Sequence, residues 1–191
     1  SAILRNDHGL IYLGGLYPLP NWNIDNAYLN DKALIYSISR QESGFNPRAK
    51  SSANALGLMQ VLPSTAAFIM KNKTYRYKSK RDLLYNSEKN IIIGTRYIKF
   101  LFSLDIVDNN VIKMLASYNA GPGNFKKWTS ELKPLTKTDS LFLIETLPAR
   151  QTRNYIKLVL TNLWIYRFRL NEEPYIIPAL ASGDEIKFIA R

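Results

Sequence analysis

Residues 39–66 read "SRQESGFNPRAKSSANALGLMQVLPSTA" and hold one acidic residue, Glu42. No Asp or Glu follows until Asp82. Upstream, Asn30 or Asp31 can cap a helix whose apolar face carries Leu34 and Ile38, and Glu42 comes at the next four-residue step. Gly44 then supplies a C-terminal stop. The spacing predicts a helix to about Ser43 that ends on a lone carboxyl. A loop of small, polar and turn-forming residues follows over 45–62.

A carboxyl in that place is disfavoured as an anion. The macrodipole is negative at a helix C-terminus, and an apolar wall strips away water. Arg40, two positions away, points elsewhere. Together these hold a carboxyl protonated toward neutral pH, the state a general acid needs. Most Glu residues lie at the surface, so Glu42 alone leaves open an ordinary solvated side chain.

Working outward, Pro63 and Ser64 open a second helix. Asn86 or Ser87 opens another, with Ile91, Thr95, Ile98 and Phe102 at helical spacing. Asn109 or Asn110 caps the next, with Val111, Met114, Leu115 and Tyr118 on one face, and "NAGPG" (119–123) breaks it. A short helix is expected over 123–129. Thr146 is expected to cap a long last helix with Pro148 in its first turn, reaching about Leu170. Strand signals are few, the best at 141–145. The fold class is therefore mostly α. Residues 1–25, with Gly14, Gly15, Pro18 and Pro20, read as an extended lead-in; 26–170 form the domain; 171–191, with Pro174 and Pro178, read as a tail folded over it.

Composition removes most chemistries. The 191 residues contain no cysteine and a single histidine, His8. Disulfides, thiolate sites and multi-histidine metal sites are excluded, and no Gly-rich phosphate loop occurs. No apolar run is long enough to span a bilayer. The start shows no signal-peptide pattern, so an exported protein would have lost that segment already. The net charge of +11 favours polyanions: nucleic acid, anionic lipid or acidic wall polymers. The densest basic stretch is "KNKTYRYKSKR" (71–81). Aromatics among bases can bind single-stranded nucleic acid, but such a run more often marks a solvated loop.

Two further segments bear on Glu42. "GLMQ" (57–60) sets Gln60 after a glycine, where a ligand can approach the backbone closely. "SYNAGPG" (117–123) puts Tyr118 and Asn119 at a helix end, and a buried Tyr needs a partner for its hydroxyl. Core packing and a plain helix stop account for these pieces singly.

Taken in order, "ISRQESGFNPRAKSSANALGLMQVLPSTA", "NIIIGTRYIKFL", "ASYNAGPGNFKKW" and "LFLIETLPARQTRNYIKLVL" resemble the catalytic domain of the soluble lytic transglycosylases, which have a lysozyme-like fold and cleave bacterial peptidoglycan. The resemblance runs from about residue 27 to 170. It implies an α+β, lysozyme-like helical domain with a deep substrate groove, and no cofactor or metal. By motif, Glu42 matches the single catalytic acid/base and Ser51 a serine near the reacting sugar. Met59 and Gln60 match groove residues, Tyr118 a tyrosine near the catalytic carboxyl with Asn119 after it, and Glu145 a second groove glutamate. The chain departs from the pattern at Gln151, where Glu is usual, at Leu62, where Met is frequent, and at Asn54, where Gly is common. Asn is the best replacement if that position needs a positive φ. Larger members carry a long N-terminal helical domain, of which only the junction can be present here.

Glycosidases usually work with two carboxylates, yet residues 43–81 offer none. In the family, the N-acetyl group of N-acetylmuramic acid assists and a 1,6-anhydro end forms. The implied partners are peptidoglycan glycan strands, with cell-wall or secretion machinery around them. The implied place is the periplasm or cell envelope. Three readings stand against this one: a muramidase that uses water, a non-catalytic wall-binding module, and nucleic-acid binding through 71–81, which rests on charge alone.

Overall fold

Asp31 opens the helix that ends on Glu42. In the computed structural model, which describes residues 13–22, 31–131, 139–173 and 175–188, α2 spans Lys32–Ser43 after a short α1 at Leu13–Leu16. Asp31 Oδ1 accepts the Leu34 N–H at 2.9 Å, satisfying one donor of the first turn. Gly44, at φ 57°, closes the helix by donating its N–H to Arg40 O, in the left-handed conformation glycine adopts without strain. Ala33 to Ser39 are all buried, so α2 is a central helix wrapped on every side.

Around it run α3 (Pro63–Ile69), α4 (Lys78–Arg81), α5 (Ser87–Phe102), α6 (Val111–Ala120), α7 (Pro122–Glu131), α8 (Ser140–Thr146), α9 (Arg150–Arg169) and α10 (Ile176–Ser182). Asn86 caps α5 and Asn110 caps α6, each through its side-chain oxygen. Helix α9 packs antiparallel on α2. Asp31 pairs with Arg167 at one end, Asn162 Nδ2 donates to Ser37 O midway, and Tyr155 faces Glu42 at the other. The buried side chains of α2, α5, α6 and α9 form one continuous apolar core.

The mostly helical class holds: among the described residues there are only isolated bridges, Lys50 to Leu56, Leu56 to Val61 and Asn110 to Lys187. Four local expectations are corrected. Residues 141–145 lie in α8, not a strand, because Asp139 Oδ1 caps Leu141 N–H at 2.7 Å. Thr146 ends α8 rather than starting α9, its hydroxyl bonding back to Phe142 O and Leu143 O. The lead-in contains the turn α1, and 71–81 folds into a 3₁₀ turn (Lys73–Arg76) and α4 rather than an open loop. Beyond α10, Val111 N–H donates to Ile186 O and Phe188 N–H to Asn109 O, which ties the chain end to the start of α6.

Candidate active site

Glu42 stands in the last turn of α2, on the stripe of the fully buried Leu34 and Ile38. Protein encloses the carboxyl on most sides, while part of the residue stays accessible. Burial pushes its pKa from 4.5 up to about 7, and the Tyr155 hydroxyl pulls more weakly the other way. No lysine or arginine among the described residues offsets the burial. Arg40 is turned aside, its guanidinium 4.1 Å from the centre of the Tyr17 ring.

Two phenols flank this acid. Tyr118 and Tyr155 are held well above the usual tyrosine range, first by burial and then by the Glu42 charge beside them, so both remain donors. Tyr118 Oη donates to Met59 O at 2.7 Å. The Tyr155 hydroxyl finds no acceptor at strict hydrogen-bond geometry. The ionisable group it faces is the Glu42 carboxyl.

The loop 45–62 forms the facing wall. Ser43 Oγ donates to Leu58 O at 2.8 Å. Asn90, fully buried on α5, satisfies three main-chain groups. Its Nδ2 donates to Leu56 O and Leu84 O, and its Oδ1 accepts the Met59 N–H, at 2.7–2.8 Å. A Cβ on Gly57 would lie 2.2 Å from Leu84 O and 2.4 Å from Asn90 Nδ2, so only glycine lets the loop approach this closely. Asn54 has φ 63°, the positive value for which asparagine is suited.

Between loop and helices lies a cavity of about 290 Å³, lined among others by Gln60, Leu62, Thr65, Tyr97, Tyr118 and Asn119. The structure thus gathers Gln60, Tyr118 and Asn119, with Glu42 against Tyr118. Asn119 Oδ1 is steadied by Thr152 Oγ1 at 2.9 Å, and Gln60 Nε2 by Gly57 O at 2.8 Å. Three expected site residues sit otherwise. Met59 is buried in the notch of Gly94, where a Cβ would meet its sulfur at 2.5 Å; it offers a carbonyl, not a side chain. Ser51 Oγ accepts the Ala55 N–H at 3.0 Å and staples the loop. Glu145 is exposed on α8 and pairs with Lys157 Nζ at 2.5 Å, away from this cavity. Sequence reasoning missed Tyr155 and Tyr97. Tyr155 carried only a core-stripe signal with Val159 and Leu163.

Among the described residues no group of His, Cys, Asp or Glu could hold a metal ion, and no helix is long and apolar enough to cross a membrane. A carboxyl near neutrality beside two phenols and an amide-lined cavity can give and retake a proton at one oxygen.

The transglycosylase SLT domain model matches residues 22–140. The chain is 33% identical over 171 residues to the soluble lytic murein transglycosylase of Escherichia coli K12, covering 87% of this chain and 26% of that protein. It is 37% identical over 148 residues to membrane-bound lytic murein transglycosylase C of Actinobacillus pleuropneumoniae, covering 68% and 40%. The solved E. coli 70 kDa soluble lytic transglycosylase superposes with TM-score 0.73 at 31% identity, over 86% of this chain and 26% of that one. An inactive Glu-to-Gln mutant of lytic transglycosylase Slt from Pseudomonas aeruginosa gives 0.71 at 28%, over 93% and 28%. The chain spans about a quarter of the length of the soluble relatives it matches.

Proposed function

The chain belongs to the transglycosylase SLT domain family, and from that premise we propose that it cleaves peptidoglycan as a lytic transglycosylase, with Glu42 as its single acid and base. The observation that carries this reading is a carboxyl raised to about 7 by burial, with no cation beside it. Glu42 donates its proton to the glycosidic oxygen between N-acetylmuramic acid and N-acetylglucosamine, and the C1–O bond breaks. The acetamido oxygen of the muramic acid supports the electron-poor C1. The Glu42 carboxylate then takes the proton of the 6-hydroxyl as O6 bonds to C1. The proton count closes, no water is consumed, and a 1,6-anhydro end results.

A pKa near the working pH suits one group to both steps. The Tyr155 hydroxyl steadies the carboxylate between them, and Tyr118 anchors Met59 O. Gln60 and Asn119 hold the sugar, while Ser51 and Glu145 enter as outer contacts to the strand. The P. aeruginosa relative, inactive with glutamine in place of one glutamate, supports giving a glutamate this role. Such a substrate places the work in the cell envelope. Mass spectrometry of digested peptidoglycan tests the proposal. Anhydro-muramic ends are expected; reducing muramic ends would mean hydrolysis, and binding without release would mean a wall-binding module.

A further inference from the structure

The aromatic wall of the cavity continues onto the surface. Tyr97, which lines the cavity, meets Tyr118 on its inner side at 5.4 Å between centroids. On its outer side it stacks on Phe100 at 6.4 Å, and Phe100 meets Phe68 edge-on at 5.1 Å. The step is made twice in parallel: Thr65 to Phe68 on α3, and Tyr97 to Phe100 on α5, each one turn outward from a cavity residue. Phe68 is 60% exposed at the end of this row, and the cavity residue Leu62 is 38% exposed beside the start of α3.

The basic segment is fastened to the same place. Lys71 N–H donates to Phe68 O at 3.1 Å and Asn72 N–H to Ala67 O at 2.9 Å. The buried Tyr75 holds the Lys73–Arg76 turn down. The start of the basic segment, 71–76, is therefore held against the end of α3 that carries Phe68, and 77–81 follow directly from it. Among the described residues only Arg81 of its six Lys and Arg meets a carboxylate, Asp82, at 4.0 Å. Crowded cations without counter-charges repel one another, and a bound polyanion relieves that. A half-buried ring row that leads from a cavity to an exposed phenylalanine offers a binding surface.

We propose that this ledge carries the glycan strand out of the cavity, Phe68 stacking on the C–H face of a sugar and residues 71–81 binding the carboxylates of its stem peptides. The inference rests on the reading that the cavity holds peptidoglycan, and binding can be read without turnover. In a Glu42→Gln background, binding to sacculi and to amidase-stripped glycan strands is measured for Phe68→Ala and for the triple variant Lys73→Gln/Lys78→Gln/Lys80→Gln, with thermal midpoints checking the fold. Phe68→Ala should weaken both by roughly fivefold, from lost apolar contact. The triple variant should weaken binding of the peptide-bearing wall by roughly tenfold at low salt, with a shallower salt dependence, and binding of stripped strands, which keep only the lactyl carboxylate, by clearly less. Parent-like binding of sacculi by either variant overturns the proposal. So does an equal loss on stripped strands, or a loss confined to single-stranded DNA. The chemistry of the released ends in the unmutated protein tests the cleavage reading separately.

Discussion

Helix α2 carries a carboxyl at each end, and α9 answers them differently. At the N-terminus, Asp31 caps Leu34 and pairs with Arg167 Nη2 at 2.5 Å, both side chains 3% exposed. Arg167 also pairs with Glu172. At the C-terminus, Glu42 receives only the Tyr155 phenol. The macrodipole favours an anion at the first position and opposes it at the second. One antiparallel helix pair thus holds one acid in an ion pair and leaves the other without a cation, and the difference lies in which α9 residue arrives opposite each. Burial with no cation to offset it raises a carboxyl's pKa.

The largest test breaks the Glu42 end. Glu42→Gln should lower the release of soluble muropeptides about a thousandfold, as expected for loss of an acid and base, with circular dichroism unchanged. The Asp31 end should break in stability instead. Arg167→Met leaves Asp31 buried and unpaired, at a cost of about 3–5 kcal/mol, or a melting point lower by roughly 10 °C. Adding Asp31→Asn should recover most of it; no recovery would separate the loss from the ion pair.

The comparison sharpens in a pH series. Glu42 is raised from 4.5 to about 7 when folded, so the folded state holds this proton more tightly than the unfolded chain. Its burial is harmless below about 4.5, costs more as pH rises to 7, and is constant above. Glu42→Gln should match the parent near pH 4 and be more stable by up to about 3 kcal/mol at pH 8. A gap that narrows with pH would contradict this. The smallest effect is at Tyr155. Tyr155→Phe removes the group that lowers the Glu42 pKa, so the falling limb of the pH–rate profile, near 7, should move up by at most about one unit.

The local structure at the Glu42 end was legible because its signals are local. The Leu34–Ile38–Glu42 stripe, the Gly44 stop and a positive φ suited to Asn54 all lie within one short stretch. Its partner was not. Tyr155 is a helix-spaced aromatic on a core stripe, and only the α2–α9 register shows which core tyrosine faces the acid. Asp31 was legible as a cap, but its pairing with Arg167 depends on the same register. Short apolar runs such as 141–144 fit strand or helix equally, and Asp139 decided the matter by capping. Glu145 was placed by motif; its exposed pair with Lys157 is a feature of side-chain reach that no spacing encodes.

The Asn90 amide has a consequence for kinetics. A wall made of loop would normally fluctuate, and a sugar chain would have to freeze it on arrival. One buried side chain clamps Leu56, Leu84 and Met59 to α5, and Tyr118 ties the Met59 carbonyl to α6. Local opening of that wall must break these bonds together, so it shares the opening energy of the helices behind it. On the proposed reading, the cleft is shaped before a glycan strand enters, and the entropy of ordering it has already been spent in folding.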